Sequence, residues 1–239
     1  MACETCPPTT ARDEQLIDLI VDQVKLALGT RSLSPTQGVR SRDGLPLIPL
    51  GVSNRHIHLT KATFHRLFGE TVAFESMRPL YQPGEFASKH TLAIAGPKLR
   101  SIPGVRILGP LRSYDQVEVS LTDAVFLGID PPVANSGTLD KAAPLTLIGP
   151  NGSVYLERCA IVASRHIHIP TADARSLGVR DGDLCRVRVP GDKPTVFENV
   201  LIRTNDNWLL QIHLDTDDAN AANIRDDISV EFLGVMEKR

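Results

Sequence analysis

The sequence predicts a mainly β protein: two small, related β-barrels capped by short α-helices and preceded by an N-terminal amphipathic helix. Three observations carry that prediction. First, a stretch occurs twice. Residues 52–60 read Val-Ser-Asn-Arg-His-Ile-His-Leu-Thr and residues 162–170 read Val-Ala-Ser-Arg-His-Ile-His-Ile-Pro, with Ala62/Ala172 and Leu67/Leu177 matching at the same offset. Second, seventeen glycines and seventeen prolines separate short apolar runs, a pattern of many turns and therefore many strands. Third, no strand–helix period of a doubly wound sheet is present, which leaves small barrels as the architecture for two homologous halves. A chain of 239 residues can bury enough core for this without disulfides.

Composition narrows the function classes. The formal net charge is −2 and the sequence pI about 6.4, so there is no basic footprint for nucleic acid. No apolar run reaches the ~18–20 residues of a membrane span, and no signal-peptide pattern opens the chain. A cytoplasmic protein without nucleic-acid or membrane partners is the expectation. Four cysteines are too sparse for a secreted disulfide scaffold. Cys3 and Cys6 have the spacing of a zinc clip or redox pair, but without a second pair or a strand–helix–strand setting a free, exposed pair is favoured.

The elements follow in chain order. Residues 1–9 are polar and proline-bearing and are expected to be disordered. Thr10 and Asp13 form a weak capping box. Leu16, Ile20, Val24, Ala27 and Leu28 then fall at helical spacing, and Gly29 supplies a stop. Residues 11–28 are therefore read as an amphipathic helix, and residues 30–45 as a flexible linker. Such a helix is marginal alone, and both packing on its own domain and docking on a partner stay open. Leu47 to Asn54 reads as a strand leading into the first histidine motif, and residues 61–69 as a short helix ended by Gly69. Residues 79–88 read as a turn-rich loop, and Thr91 to Ala95 and Val105 to Leu108 as strands. Gln116 to Leu121 alternates polar and apolar as a strand does. A loop over 130–144 precedes strands Leu145–Ile148 and Ser153–Leu156 and the second motif. A helix over Thr171–Leu177 and strands around Cys185–Val189 and Leu209–Leu214 complete the reading.

The repeated His-x-His is where chemistry is expected. On a strand, residues i and i+2 share a face about 6.6 Å apart, so His56/His58 and His166/His168 can each converge on one metal with Ile57 and Ile167 buried behind. One such pair is weak evidence; two inside a repeat, each preceded by arginine, are far stronger. Each pair needs a further ligand. Glu118 and His213 lie on alternating strands that align with one another; Glu118 reads either as a ligand or as part of a solvated strand face, and His213 either as a ligand or as a hydrogen-bonded surface histidine. Arg112, just upstream of Glu118, reads either as a bidentate anion binder beside the metal or as a surface loop residue. Arg55 and Arg165 face away from the pairs and are read as ion-paired strand anchors. His65 and His90 have no counterpart in the repeat and carry no assigned role.

At this point a family is recognisable. Ser-Asn-Arg-His-Ile-His-Leu-Thr, Gln-Pro-Gly-Glu-Phe-Ala, Gly-Pro-Leu-Arg with Gln-Val-Glu-Val-Ser, Ser-Gly-Thr-Leu, Ser-Arg-His-Ile-His-Ile and His-Leu-Asp-Thr-Asp occur in that order over about residues 46–235. Together they resemble the PduL-type phosphotransacylases, or phosphate propanoyltransferases. The resemblance implies interconversion of an acyl-CoA and phosphate with an acyl phosphate and CoA, a two-zinc site (cobalt being the alternative metal), and a homodimer. It implies a discontinuous first barrel of residues 46–54 with 160–235, and a second barrel of residues 55–159 with its connecting loops. Carried over by motif, His56, His58 and Glu118 would hold the first zinc, and His166, His168 and His213 the second. Arg112 would bind phosphate, and Ser53, Gln82, Gln116 and Ser136 would line the substrate pocket. Asp218 stands where glutamate is expected after Asp217, a departure that keeps the charge. Family members that enter bacterial microcompartments carry an N-terminal helix and linker. Residues 11–28 and 30–45 look like that pair, which favours docking on shell or core proteins.

The expected chemistry is direct attack of phosphate on the thioester, since no serine or cysteine stands in a nucleophile motif. Two other readings stay open: a metallohydrolase or metal oxygenase on a barrel, and a non-enzymatic microcompartment assembly component with structural metals.

Overall fold

The computed structural model describes residues 40–225 and 228–237. The expected N-terminal helix over 11–28, and the linker up to residue 39, lie outside the described residues.

The first barrel closes through six strands: β1 (Leu47–Ser53), β10 (His166–Ile169), β11 (Leu184–Val189), β12 (Thr195–Thr204), β13 (Gln211–Asp215) and β14 (Ser229–Val235). Its circuit runs β1-β13-β10-β12-β11-β14 and back to β1. The second contains β2 (His56–His58), β4 (Phe86–Ala95), β5 (Ser101–Gly109), β6 (Gln116–Glu118), β8 (Ala143–Gly149) and β9 (Gly152–Ala163). Here β2 pairs with β5 and β6, β6 with β9, β9 with β8, β8 with β4 and β4 with β5, which closes a circuit of the same kind. Two short strands, β3 (Ser76–Pro79) and β7 (Val133–Ala134), extend it at β4 and β9. Among the described residues there are four short helices: α1 (Lys61–Phe68), α2 (Leu121–Leu127), α3 (Thr171–Leu177) and α4 (Thr216–Ala221).

The two circuits superpose pair by pair, parallel on parallel and antiparallel on antiparallel. Strand β10 corresponds to β2, β12 to β5, β13 to β6, β1 to β9, β14 to β8 and β11 to β4. The chain changes barrel at each histidine motif. It leaves the first barrel at Ser53 and enters the second at His56; it leaves the second at Ala163 and re-enters the first at His166. Each barrel has its own apolar core, and Ile57 and Ile167, fully buried, stand in those cores behind their flanking histidines.

Both crossings are clamped. Arg55 donates through Nε and Nη2 to the carboxylate of Asp123 at 2.8 and 2.7 Å. Arg165 does the same to Asp218, at 2.8 and 2.8 Å. Asp123 and Asp218 are the third residues of α2 and α4, helices that directly follow β6 and β13. The two arginines are therefore the strand anchors expected from sequence, and the forked geometry makes each clamp directional.

The structure corrects several element boundaries. The strand expected to reach Leu121 stops at Glu118, because Ser120 and Asp123 form a reciprocal capping box that starts α2, and Gly128 (φ 74°) ends it in the left-handed region. Strand β4 begins at Phe86, inside the segment read as a loop, and β8 begins at Ala143. Strands β12 and β14 and helix α4 had no sequence reading.

Candidate metal and phosphate site

The third ligand positions follow from register. His56 is paired with Glu118 across β2 and β6, and His166 with His213 across β10 and β13, the corresponding strands of the other barrel. The two clusters are thus equivalent sites that differ at one side chain. His56, His58 and Glu118 offer ligand atoms within 4.8 Å of one another, and so do His166, His168 and His213. Both line a single cavity of about 710 Å³ between the barrels, bordered also by Ser53, Gln82, Arg112, Ser136, Arg203 and Trp208.

The leading histidine of each pair is oriented identically. His56 Nδ1 lies 2.8 Å from the Asn54 carbonyl and His166 Nδ1 lies 2.8 Å from the Ser164 carbonyl. An N–H donated there leaves Nε2 as the lone-pair nitrogen facing the cavity. His56 Nε2 is 3.4 Å from Glu118 Oε2. Ser53 Oγ lies 3.4 Å from His213 Nδ1, which likewise points His213 Nε2 inward.

These residues fit a bound metal. His58 Nδ1, both ring nitrogens of His168 and His213 Nε2 are buried without a hydrogen-bond partner among the described residues, which leaves their lone pairs open to an ion, a water or another ligand. Burial, reinforced by neighbouring histidines and by Arg112, pushes His58 and His168 down to about 2; burial with His166 and His56 pushes His213 down to about 3. Burial lowers His166 as well. Neutral imidazole is the ligating form. The donor sets, two histidines with a carboxylate and three histidines, suit zinc or a similar divalent ion. Cys159 and Cys185 do not compete: both are buried in strands, and burial pushes their thiols up to about 12.

Arg112 stands between the clusters. Its charge acts on both His58 and His168, its Nη1 donates to Tyr114 Oη at 2.9 Å and Ser136 Oγ at 3.2 Å, and its Nη2 lies 3.5 Å from Glu85. Ser136 borders the cavity beside it. Two of the expected pocket residues are placed differently from a simple substrate contact. Gln82 borders the cavity, but its amide is engaged at both ends by Leu209, donating to the carbonyl and accepting from the N–H, each at 3.0 Å. It ties the second barrel to the loop before β13. Gln116 is fully buried behind Glu118 and does not border the cavity.

Two residues had no sequence reading. Trp208, the single tryptophan, stacks on His168 with ring centroids 4.0 Å apart, and Arg203 lies 5.3 Å over the same indole. Arg203 is the register partner of His168 across β12. The repeat could not flag it, because the corresponding position opposite His58 is an apolar one, Leu108. His65 and His90 lie away from the cavity, His90 packed among Phe64, Phe68 and Phe74.

Twin barrels with paired histidine clusters facing one arginine-bordered cavity are suited to an enzyme that holds metal ions beside an anionic substrate. The phosphate propanoyltransferase family model matches residues 49–225. Phosphate propanoyltransferases of Lachnoclostridium phytofermentans and Thermotoga maritima are 46% and 47% identical over 177 and 178 residues, covering 74% of this chain in each case and 83% and 84% of theirs. That of Rhodobacter capsulatus is 44% identical over 200 residues, 83% of this chain and 93% of its own. The chain belongs to the phosphate propanoyltransferase family and is an acyltransferase.

Proposed function

We propose that this protein is a zinc-dependent phosphate acyltransferase that interconverts a short-chain acyl-CoA, propanoyl-CoA foremost, and phosphate with acyl phosphate and CoA. The observation that carries this reading is Arg112, held by Tyr114 and Ser136 at the edge of a cavity that both histidine clusters share. Its forked guanidinium can bind two phosphate oxygens and hold the nucleophile beside the thioester. A phosphate oxygen attacks the carbonyl carbon; the C–O bond forms, the C–S bond breaks, and CoA departs as the thiolate. With both described cysteines buried as thiols, no covalent acyl-enzyme is needed. Zinc bound by the clusters would supply Lewis acidity to the carbonyl and charge stabilisation to the thiolate.

A thiol-release assay with acetyl-, propanoyl- and butanoyl-CoA tests this. Release is expected to require phosphate and to stop on chelation, returning with zinc or cobalt. CoA release without phosphate would instead mark a thioester hydrolase.

We also propose a homodimer and delivery into a bacterial microcompartment. Helix α2 exposes Leu121, Val125 and Phe126, an apolar face suited to a second copy. The sequence pattern over 11–28 is the support for docking on shell or core proteins. A chain lacking residues 1–39 is expected to sediment as a dimer with full CoA release and to fail to co-purify with shells. A monomeric mass, or undiminished co-purification, would count against the respective half.

A further inference from the structure

Gln116 is fully buried, and all the bonds around its amide are made to polar groups of the site. Its Nε2 donates to Glu118 Oε1 at 2.7 Å and to Ser136 Oγ at 2.8 Å; its Oε1 accepts from Gly137 N–H at 2.7 Å. The partners fix the orientation of the amide. A carboxylate oxygen only accepts and a backbone N–H only donates, so the reversed amide would place like against like at both ends. Two consequences follow. With Oε1 taken up by Gln116, Glu118 presents Oε2, the oxygen nearer His56, as its free ligand atom. Ser136 Oγ accepts from Gln116 Nε2 and also from Arg112 Nη1 at 3.2 Å. A hydroxyl with both lone pairs occupied must direct its own hydrogen elsewhere, and the open side of Ser136 is the cavity.

We infer that Gln116 is a positioning residue that couples the two halves of the reaction centre: it presents one oxygen of Glu118 to the metal and turns the Ser136 hydroxyl outward as a donor to the phosphate held by Arg112. It does not itself touch substrate. Among the described residues the second cluster has no such link. There the corresponding residue is Gln211, paired with His168 as Gln116 is with His58, and it packs against Gly51, whose missing Cβ would lie 2.7 Å from Gln211 Nε2. His213 is oriented by Ser53 instead. Coupling between metal ligand and phosphate hydroxyl therefore belongs to the Glu118 side alone. The phosphate half of this inference rests on the proposed activity; the Glu118 half does not.

The experiment compares Gln116→Met, nearly isosteric but without a donor, with Ser136→Ala in the full chain. Zinc affinity is read by competition with a chromophoric chelator, and steady-state rates by varying phosphate. Gln116→Met is expected to weaken one of two zinc equivalents by about 10- to 100-fold and to raise the KM for phosphate. Ser136→Ala is expected to raise that KM and leave zinc affinity unchanged. If Gln116→Met fails to fold, Gln116→Ala, which leaves room for water, replaces it. Unchanged zinc affinity in a folded Gln116 variant overturns the metal arm. An unchanged phosphate KM in both variants overturns the phosphate arm. Absence of any phosphate-dependent turnover in the unmodified chain would instead refute the proposed activity, with the zinc readout still deciding the role of Gln116 at Glu118.

Discussion

Replacing Arg112 by alanine is expected to lower kcat/KM for phosphate by about 10²- to 10³-fold while leaving the bound metal in place. The magnitude is that of removing a preorganised donor from a developing anion. Arg112 is held by Tyr114 and Ser136 before substrate arrives, so the enzyme loses an oriented fork as well as a charge. Arg112→Lys should recover little, because a point charge on a flexible stem cannot make paired bonds to two phosphate oxygens. No metal ligand is touched, so zinc content should match that of the unmodified enzyme. Varying phosphate at saturating acyl-CoA gives the answer directly. Saturation by phosphate at unchanged concentration in the alanine variant would remove Arg112 from the phosphate site.

The metal-free protein should be unusually sensitive to acid. His58, His168 and His213 are pushed by burial to about 2, 2 and 3 in the folded chain, against about 6.5 when unfolded. Below pH 6.5 the unfolded chain takes up protons at these positions that the folded chain refuses. Since the folded values are depressed, stability is complete above about pH 6.5 and drains away as pH falls toward 3. Three such groups together give a slope of about 4 kcal/mol per pH unit once all are protonated in the unfolded state. A domain of ordinary stability would then unfold near pH 5. Circular dichroism of chelator-treated protein across pH 7 to 3 measures this, and His213→Asn should flatten the slope by about a third. An apoprotein equally stable at pH 7 and pH 4 would show that these rings are free to take up protons in the folded state. Zinc should delay the transition, because ligand binding to the folded state alone stabilises it.

The grouping of the histidines was legible in the sequence because duplication wrote it twice. A repeated His-x-His fixes both spacing and face, and alignment of the halves pointed to Glu118 and His213, which the register places opposite His56 and His166. The barrel architecture was legible from the repeat and the turn density. Helix α2 was hidden because Val119-Ser120-Leu121 continues the period of β6; the competing signal, Ser120 with Asp123 three residues on, was there to be read. Arg203 and Trp208 were not legible at all. Their place in the site depends on β12 lying beside β10 and on a loop tied down by Gln82, pairings between segments distant in sequence. Gln116 was expected from the family motif to line the substrate pocket; its bonds to Glu118, Ser136 and Gly137 depend on side-chain packing that a motif does not describe.

The exchange of barrels at each histidine motif bears on how the enzyme is made. All six strands of the second barrel lie within residues 56–163, so that barrel and its cluster can assemble as soon as Ala163 has been synthesised. Strand β1 is made before any of them, yet its neighbours are β13 and β14, so it must wait, paired with nothing, until the chain is nearly complete. At translation rates of about 5–20 residues per second that delay lasts about 10–30 s. His213 comes with β13, and the wall of the cavity that it forms closes only then. A nascent chain thus holds the His56, His58 and Glu118 cluster facing open solvent, and the complete cavity arrives with the last strands to be made.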